Sequence, residues 1–132
     1  MIADIAPDIE LKSFRFIKWN KEHEINDLLA FNIGIMPLKD DPWAAGKCGF
    51  KALQYMALGI PALVSPVGVN TRIVDDGING FICKTPEDWK KAIEKLIQDH
   101  ALLMEMAQNT RKKIEENYSV KSNTANFLAL FS

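Results

Sequence analysis

The sequence predicts an α/β fold: a parallel sheet of about four strands flanked by helices, with further helices at the C-terminus. Three features point to it. Apolar runs of four to seven residues alternate along the chain with stretches of helical periodicity. The apolar runs are continuous, as expected of strands covered on both faces. Turn signals, Gly59 ahead of Pro61 and the pairs Asp76-Gly77 and Asn79-Gly80, separate these runs.

"FRFIKW" (14–19) is the first strand. Asn20 is a good N-cap for the helix over "KEHEINDLLAF", in which Ile25, Leu28 and Leu29 share one face. "NIGIMPL" (32–38) is the second strand, stopped by Pro37. The junction 39–48 then feeds a helix over "GFKALQYMALG", ended by Gly59, with Pro61 just beyond. "PALVSP" is the third strand, and "VGVNTRIVDDGING" is a turn with a short helix. "FICK" (81–84) is a short fourth strand. Thr85-Pro86-Glu87-Asp88 opens a helix with a capping threonine, proline at the first position and acids in the first turn, and Trp89, Ile93, Leu96 and Ile97 follow at helical spacing. A second helix runs from about Ala101 to Asn117 with Leu103, Met106, Ala107 and Ile114 on its inner face. Ser119 caps a last one containing Val120, Phe127, Leu128 and Phe131.

At 132 residues the chain is the size of one domain and can bury roughly two thirds of its unfolded surface. Its 16 basic and 17 acidic residues nearly cancel, so no general field attracts nucleic acid or an anionic membrane, and any anion site must be local. Cys48 and Cys83 stand alone and only two histidines are present, a composition that does not make a zinc site. No secretory signal or apolar span is read in the sequence, which places the protein in the reducing cytoplasm.

In an open parallel sheet, ligands lie beyond the carboxyl ends of the strands, and the junction around residue 46 is such an end. Gly46 and Gly49 allow the backbone to approach a ligand closely, and the helix start after them offers unpaired N–H groups and a positive dipole end. With a helix starting near Lys47, Lys47, Lys51 and Gln54 lie along one face. Two ammonium groups there suit a diphosphate, and an amide one turn further suits sugar hydroxyls. The same lysine spacing also fits a solvated helical face.

The stretch "GKCGFKALQYMALGIPALVSPVGVNTRIVDDGINGF" resembles the C-terminal, donor-binding domain of retaining glycosyltransferases with two Rossmann-like domains, the glycosyl transferases group 1 of type B fold. The similarity runs from about Phe14 to the C-terminus. It implies a Rossmann-like three-layer sandwich and transfer of a glycosyl group from a UDP- or GDP-linked donor to a glycan or other hydroxyl acceptor. The family carries two glutamates separated by seven residues. Here Gln54 stands at the second position, which implies a ribose contact, and Gly46 stands at the first, where it offers the sugar no side chain. The family's Gly-Gly-x-Pro-Glu loop reads Gly68-Val69-Asn70-Thr71-Arg72.

From the resemblance, residues Gly46, Lys47, Cys48, Gly49 and Lys51 are expected to hold the donor diphosphate and Gln54 the ribose. Trp19, Trp43, Gly68 and Asn70 are candidates for sugar or base contacts. For Trp19 the alternative is core packing, and for Trp43 it is anchoring the loop. Asp40 and Asp41 read as solvated or capping acids rather than metal ligands, and Cys48 has no histidine close in sequence to make it a nucleophile. His23 and His100 read as surface residues and Trp89 as core. The chain as a whole, 1–132, reads as most of one nucleotide-sugar-binding domain, without the acceptor domain and without the first strands of its own sheet. No cofactor beyond the donor is expected. An uncovered sheet edge implies self-association, and the lost glutamates leave a non-catalytic binding or protein-interaction module as the alternative.

Overall fold

The computed structural model describes residues 1–131. The chain divides into two compact units, one from Met1 to Phe31 and one from Asn32 onward. In the first, β1 (Ile2–Ala3) and β2 (Ile17–Lys18) pair in parallel, Ile2 opposite Ile17 and Ala3 opposite Lys18. The strand expected over 14–19 is therefore present but short, and β1 has no counterpart in the sequence reading because two apolar residues carry no period. Helix α1 (Glu24–Leu29) starts later than expected. The Asn20 side chain accepts the Glu22 N–H at 2.8 Å, capping a turn ahead of the helix instead of the helix itself. Of the three residues expected on one buried face, Leu28 is buried, but Ile25 and Leu29 are more than half exposed.

The second unit holds a parallel sheet of β3 (Gly34–Met36), β4 (Ala62–Val64) and β5 (Gly80–Ile82), in that order. Gly34, Ala62 and Gly80 are in register, as are Met36, Val64 and Ile82. Between β3 and β4 lie α2 (Pro42–Ala45) and α3 (Phe50–Ala57), and α4 (Asn70–Ile73) joins β4 to β5. Two strand residues in succession point to opposite faces, and each face has its own core. Ala62 and Val64 pack with Met36, Ala52, Met56, Ile73 and Val74 on one side. Leu63 packs on the other with Cys83, Ala92, Leu96 and Met106, from α5 (Pro86–Gln98) and α6 (His100–Asn117). This is the three-layer arrangement expected, with β4 buried on both faces. At the sheet edge, β3 leaves Ile35 45 % exposed. Burying each large apolar side chain in these cores contributes ~1.5–3 kcal/mol.

Glycine sets the spacing of the layers at two points. A Cβ on Gly34 would overlap the Tyr55 ring of α3, and one on Gly80 would overlap the carbonyl oxygen of Ala62 on the neighbouring strand. After β5, Thr85 caps α5 as expected, in a reciprocal box with Asp88, and Pro86 occupies the first turn. The backbone N–H of Thr85, then its hydroxyl and the N–H of Lys84, hold the Asp88 carboxyl below its ordinary pKa. That cap is formed above the ordinary carboxylate range and is lost as pH falls through the lowered value. Trp89 is half-buried against the second core. Helix α7 (Val120–Ala129) is capped by the Ser119 hydroxyl, which accepts the Ser122 N–H at 3.0 Å, yet it buries none of its residues. Among the described residues no helix is long and apolar enough to cross a membrane.

Gly80→Ala is expected to destabilise the chain by about 1–3 kcal/mol, because the added methyl group meets backbone rather than a flexible side chain. Thr85→Ala should cost ~1 kcal/mol through loss of the cap. Urea unfolding of each variant, read by far-UV circular dichroism, measures both.

Candidate functional site

At the carboxyl ends of β3 and β4 the chain forms two loops that lock together. The first runs from Pro37 through α2 and the turn 46–49 into α3. The second runs from Ser65 to Val69 and enters α4. Asp41 begins the first: its side chain accepts the Ala44 N–H at 2.7 Å and caps α2, a helix the sequence reading left as loop. The capping alternative for this acid is the one observed. In the second loop, the Ser65 hydroxyl accepts the Leu38 N–H at 2.9 Å, tying the end of β4 to the end of β3. Nothing in the sequence marked Ser65; its only signal is its place directly after the third strand.

Two glycines join the loops. Gly68, at φ +58, lies so close to Ala45 that a Cβ would stand 2.6 Å from the Ala45 carbonyl oxygen. Gly49, at φ +68, is the N-cap of α3, and a Cβ there would overlap Ile73 and lie 3.2 Å from Val69. Both positions combine a left-handed backbone with a close approach, so both require glycine. Gly46 does not. It ends α2 at φ −77, and the nearest atoms to a Cβ would be backbone oxygens at 3.6 Å. The freedom expected of both Gly46 and Gly49 belongs to Gly49.

Gly49 has no side chain to cap α3, and at this helix start Cys48, Phe50 and Lys51 are exposed while Gly49 and Ala52 are buried. The first backbone bond into the helix is Leu53 N–H to the Gly49 carbonyl. Ahead of it, the amides of Cys48, Gly49, Phe50, Lys51 and Ala52 make no hydrogen bond among the described residues. A run of successive N–H groups at a helix start forms an anion-binding concavity. The helix begins at Phe50 rather than near Lys47, so Lys47 lies in the turn and only Lys51 and Gln54 lie on α3, three residues apart. Lys47, Cys48 and Lys51 are exposed, and Gln54 is half-buried and engaged in contacts of its own.

Charge favours an anion here. From Pro42 to Val74 the chain carries Lys47, Lys51 and Arg72 and no aspartate or glutamate. None of the ion pairs among the described residues uses these three cations. Asp40 and Asp41 precede this span together with Lys39, and one oxygen of Asp41 is committed to its cap. Trp43 is 81 % exposed, so it does not anchor the loop by burial. Trp19 belongs to the first unit and is 41 % exposed. Gly68 presents backbone at the surface, whereas Asn70 is fully buried and faces the inside of the site.

A hollow of about 220 Å³ elsewhere, lined by Asp76, Phe81, Cys83, Asp88 and Lys91 among others, shares no residue with the turn. Its acids are occupied: Asp76 accepts the Ile82 N–H, and Asp88 accepts those of Lys84 and Thr85. The Cys83 thiol inside it is pushed up to about 11 by burial, with Asp88 and Asp76 adding to the shift. Among the described residues no group of three or more His, Cys, Asp or Glu is placed to hold a metal ion.

The profile of the family described as glycosyl transferases group 1 matches residues 8–113. An uncharacterized glycosyltransferase of Methanocaldococcus jannaschii is 30% identical over 91 residues, 67% of this chain and 23% of that protein. The chain thus spans about a quarter of the length of the curated relative it matches. Among solved structures, sucrose-phosphate synthase from Thermosynechococcus elongatus superposes with a TM-score of 0.75 at 19% identity, over 89% of this chain and 29% of that one. A mutant of S. aureus TarM, solved with fondaparinux, α-GlcNAc-glycerol and UDP, gives 0.69 at 18% identity, over 89% of this chain and 23% of that one. These likenesses establish the fold.

Gly49→Ala should destabilise the chain by about 2 kcal/mol or more, through the left-handed backbone and the overlap with Ile73, whereas Gly46→Ala should leave it unchanged or gain up to about 1 kcal/mol. Thermal unfolding of the two variants side by side tests the contrast. Iodoacetamide should alkylate exposed Cys48 in the folded chain and reach buried Cys83 only after denaturation, as peptide mass analysis would reveal.

Proposed function

The chain belongs to the glycosyl transferases group 1 family, and from that premise we propose that it is the donor-binding part of a hexosyl-type glycosyltransferase. The enzyme takes a UDP- or GDP-linked sugar and passes the glycosyl group to a hydroxyl of a glycan or lipid-linked acceptor, in the cytoplasm and in the service of polysaccharide synthesis. The observation that carries the reading is the row of unpartnered amides from Cys48 to Ala52, flanked by Lys47 and Lys51. A diphosphate matches that row in charge and in hydrogen-bonding sense. UDP in the complex of TarM, a protein of the same fold, supports a nucleoside diphosphate as the anion.

In this reading the chemistry is stabilisation of a leaving group. As the glycosidic bond lengthens, negative charge grows on the diphosphate. The Phe50 and Lys51 amides, held by the Gly49–Ile73 and Gly68–Ala45 contacts, need no reorganisation to meet it, and the two ammonium groups add to the effect. Gln54 offers hydrogen bonds to ribose hydroxyls, Gly68 backbone and Trp43 are exposed and available to the sugar or base, and no cofactor is required. The acceptor is bound by a domain outside this chain, so the chain alone transfers nothing. Gly46, with space for a side chain and none present, favours a second reading, a non-catalytic nucleotide-sugar-binding module. Exposed apolar residues on α7, Val120, Phe127 and Leu128, with Phe131 just beyond it and Ile35 at the sheet edge, give the isolated chain a tendency to self-associate.

Calorimetric titration tests the site. Lys51→Ala should weaken binding of UDP or GDP by roughly tenfold to a hundredfold and barely change that of the nucleoside, since a charge-assisted contact contributes ~1.5–3 kcal/mol. Gln54→Ala should weaken both by about fivefold, and Lys90→Ala, on α5, neither. If Lys51→Ala binds both diphosphates as tightly as the parent, the lysines are a solvated face. Glycosyl transfer by the purified chain, or a monodisperse monomer at high concentration in light scattering, would count against the corresponding part of the proposal.

A further inference from the structure

We infer that Asn70 is a positioning residue for the turn above it: its side-chain oxygen receives the Gly49 N–H when an anion seats the helix start, so that ligand binding completes a hydrogen bond the free chain lacks. This rests on the reading of the turn as a diphosphate site. Asn70 is 0 % exposed, its Nδ2 donates to the Ser65 carbonyl at 3.0 Å, and its Oδ1 is the buried side-chain polar atom left without a partner among the described residues. The Ser65 side chain is itself fixed by the Leu38 N–H at 2.9 Å. The carboxamide is therefore held from the strand ends and cannot turn its oxygen to solvent.

That oxygen lies under Gly49, 3.4 Å from where a Cβ would be. A buried carbonyl oxygen without a donor is unfavourable, and Gly49 supplies an N–H that also lacks a partner. Gly49 is in the left-handed region at φ +68, and glycine alone rotates freely out of it. An anion that takes the amides of exposed Phe50 and Lys51 fixes the helix start and leaves the Gly49 N–H to turn inward. A bond made only in the bound state strengthens binding and adds nothing to the free chain.

Residue-resolved hydrogen exchange by NMR, with UDP as the probe, tests this together with Asn70→Leu. In the parent, saturating UDP should slow exchange of the Gly49 amide along with those of Phe50, Lys51 and Ala52. In Asn70→Leu, UDP should bind about tenfold more weakly, and at saturation the Gly49 amide should stay fast while the other three slow. Equal affinity in the variant, or a Gly49 amide protected in both proteins, overturns the inference. Should Asn70→Leu fail to fold, the parent decides: a scalar coupling across the hydrogen bond between the Gly49 nitrogen and the Asn70 side-chain carbonyl carbon that appears with saturating UDP supports the inference, and its absence overturns it. Absence of UDP binding to the parent would bring down the diphosphate reading itself, and this inference with it.

Discussion

Everything at the carboxyl edge of the sheet depends on how closely two loops approach. Gly68 brings its backbone against the Ala45 carbonyl, and Gly49 receives the Ile73 side chain. These contacts leave no room for a Cβ on either glycine, so the loops have one relative position rather than a range. Interiors packed at this density respond to displacement as solids do. The start of α3 inherits its place from that packing.

The loops are in turn held by what lies beyond them. Asp75, at the end of the segment that follows α4, accepts from Lys113 Nζ at 2.8 Å through one oxygen and from Asn79 Nδ2 through the same carboxylate, while Asn79 Oδ1 accepts the Asp75 N–H. This closes the Asp-Asp-Gly-Ile-Asn-Gly turn and fastens it to α6. Isolated exposed ion pairs contribute ~0–1 kcal/mol, but this one is partly buried and shares its carboxylate with a buried asparagine. On the other side of the same helix, Arg111 donates to the Ala57 carbonyl at the end of α3. Helix α6 thus touches both the C-terminal end of α3 and the turn after α4. A long helix packed across the sheet fixes the two short ones, which carry too few residues to be stable alone.

Much of this was legible in the sequence because it is local. Continuous apolar runs marked β2 through β5, Thr85-Pro86 and Ser119 marked the starts of α5 and α7, and Asp-Gly and Asn-Gly marked the turn before β5. The glycine turn was legible as Gly46-Lys47-Cys48-Gly49 ahead of a helix. Its details were not. The start of α3 at Phe50 places Lys47 off the helix, and α2 arose from an Asp41 cap that a loop-like composition concealed. Strand β1 is too short for any period to announce it, and Ile25 and Leu29 are exposed although their spacing is that of a buried face.

By itself, then, the sequence determined most of the elements, their order and the family, because caps, turns and periodicity act over a few residues. Which glycine is indispensable, which asparagine is buried and which amides are left unpaired were decided by the tertiary structure. Gly46 and Gly49 are equal in sequence; the left-handed backbone at Gly49 and the arrival of Val69 and of Ile73, 24 positions further on, separate them. In the sequence Asn70 is a candidate sugar or base contact; in the fold it is buried, bonded to the Ser65 carbonyl and lying beneath Gly49. Such distinctions rest on contacts between residues far apart in the chain, and a contact of that kind exists only once the packing of both cores has fixed the distance between the segments.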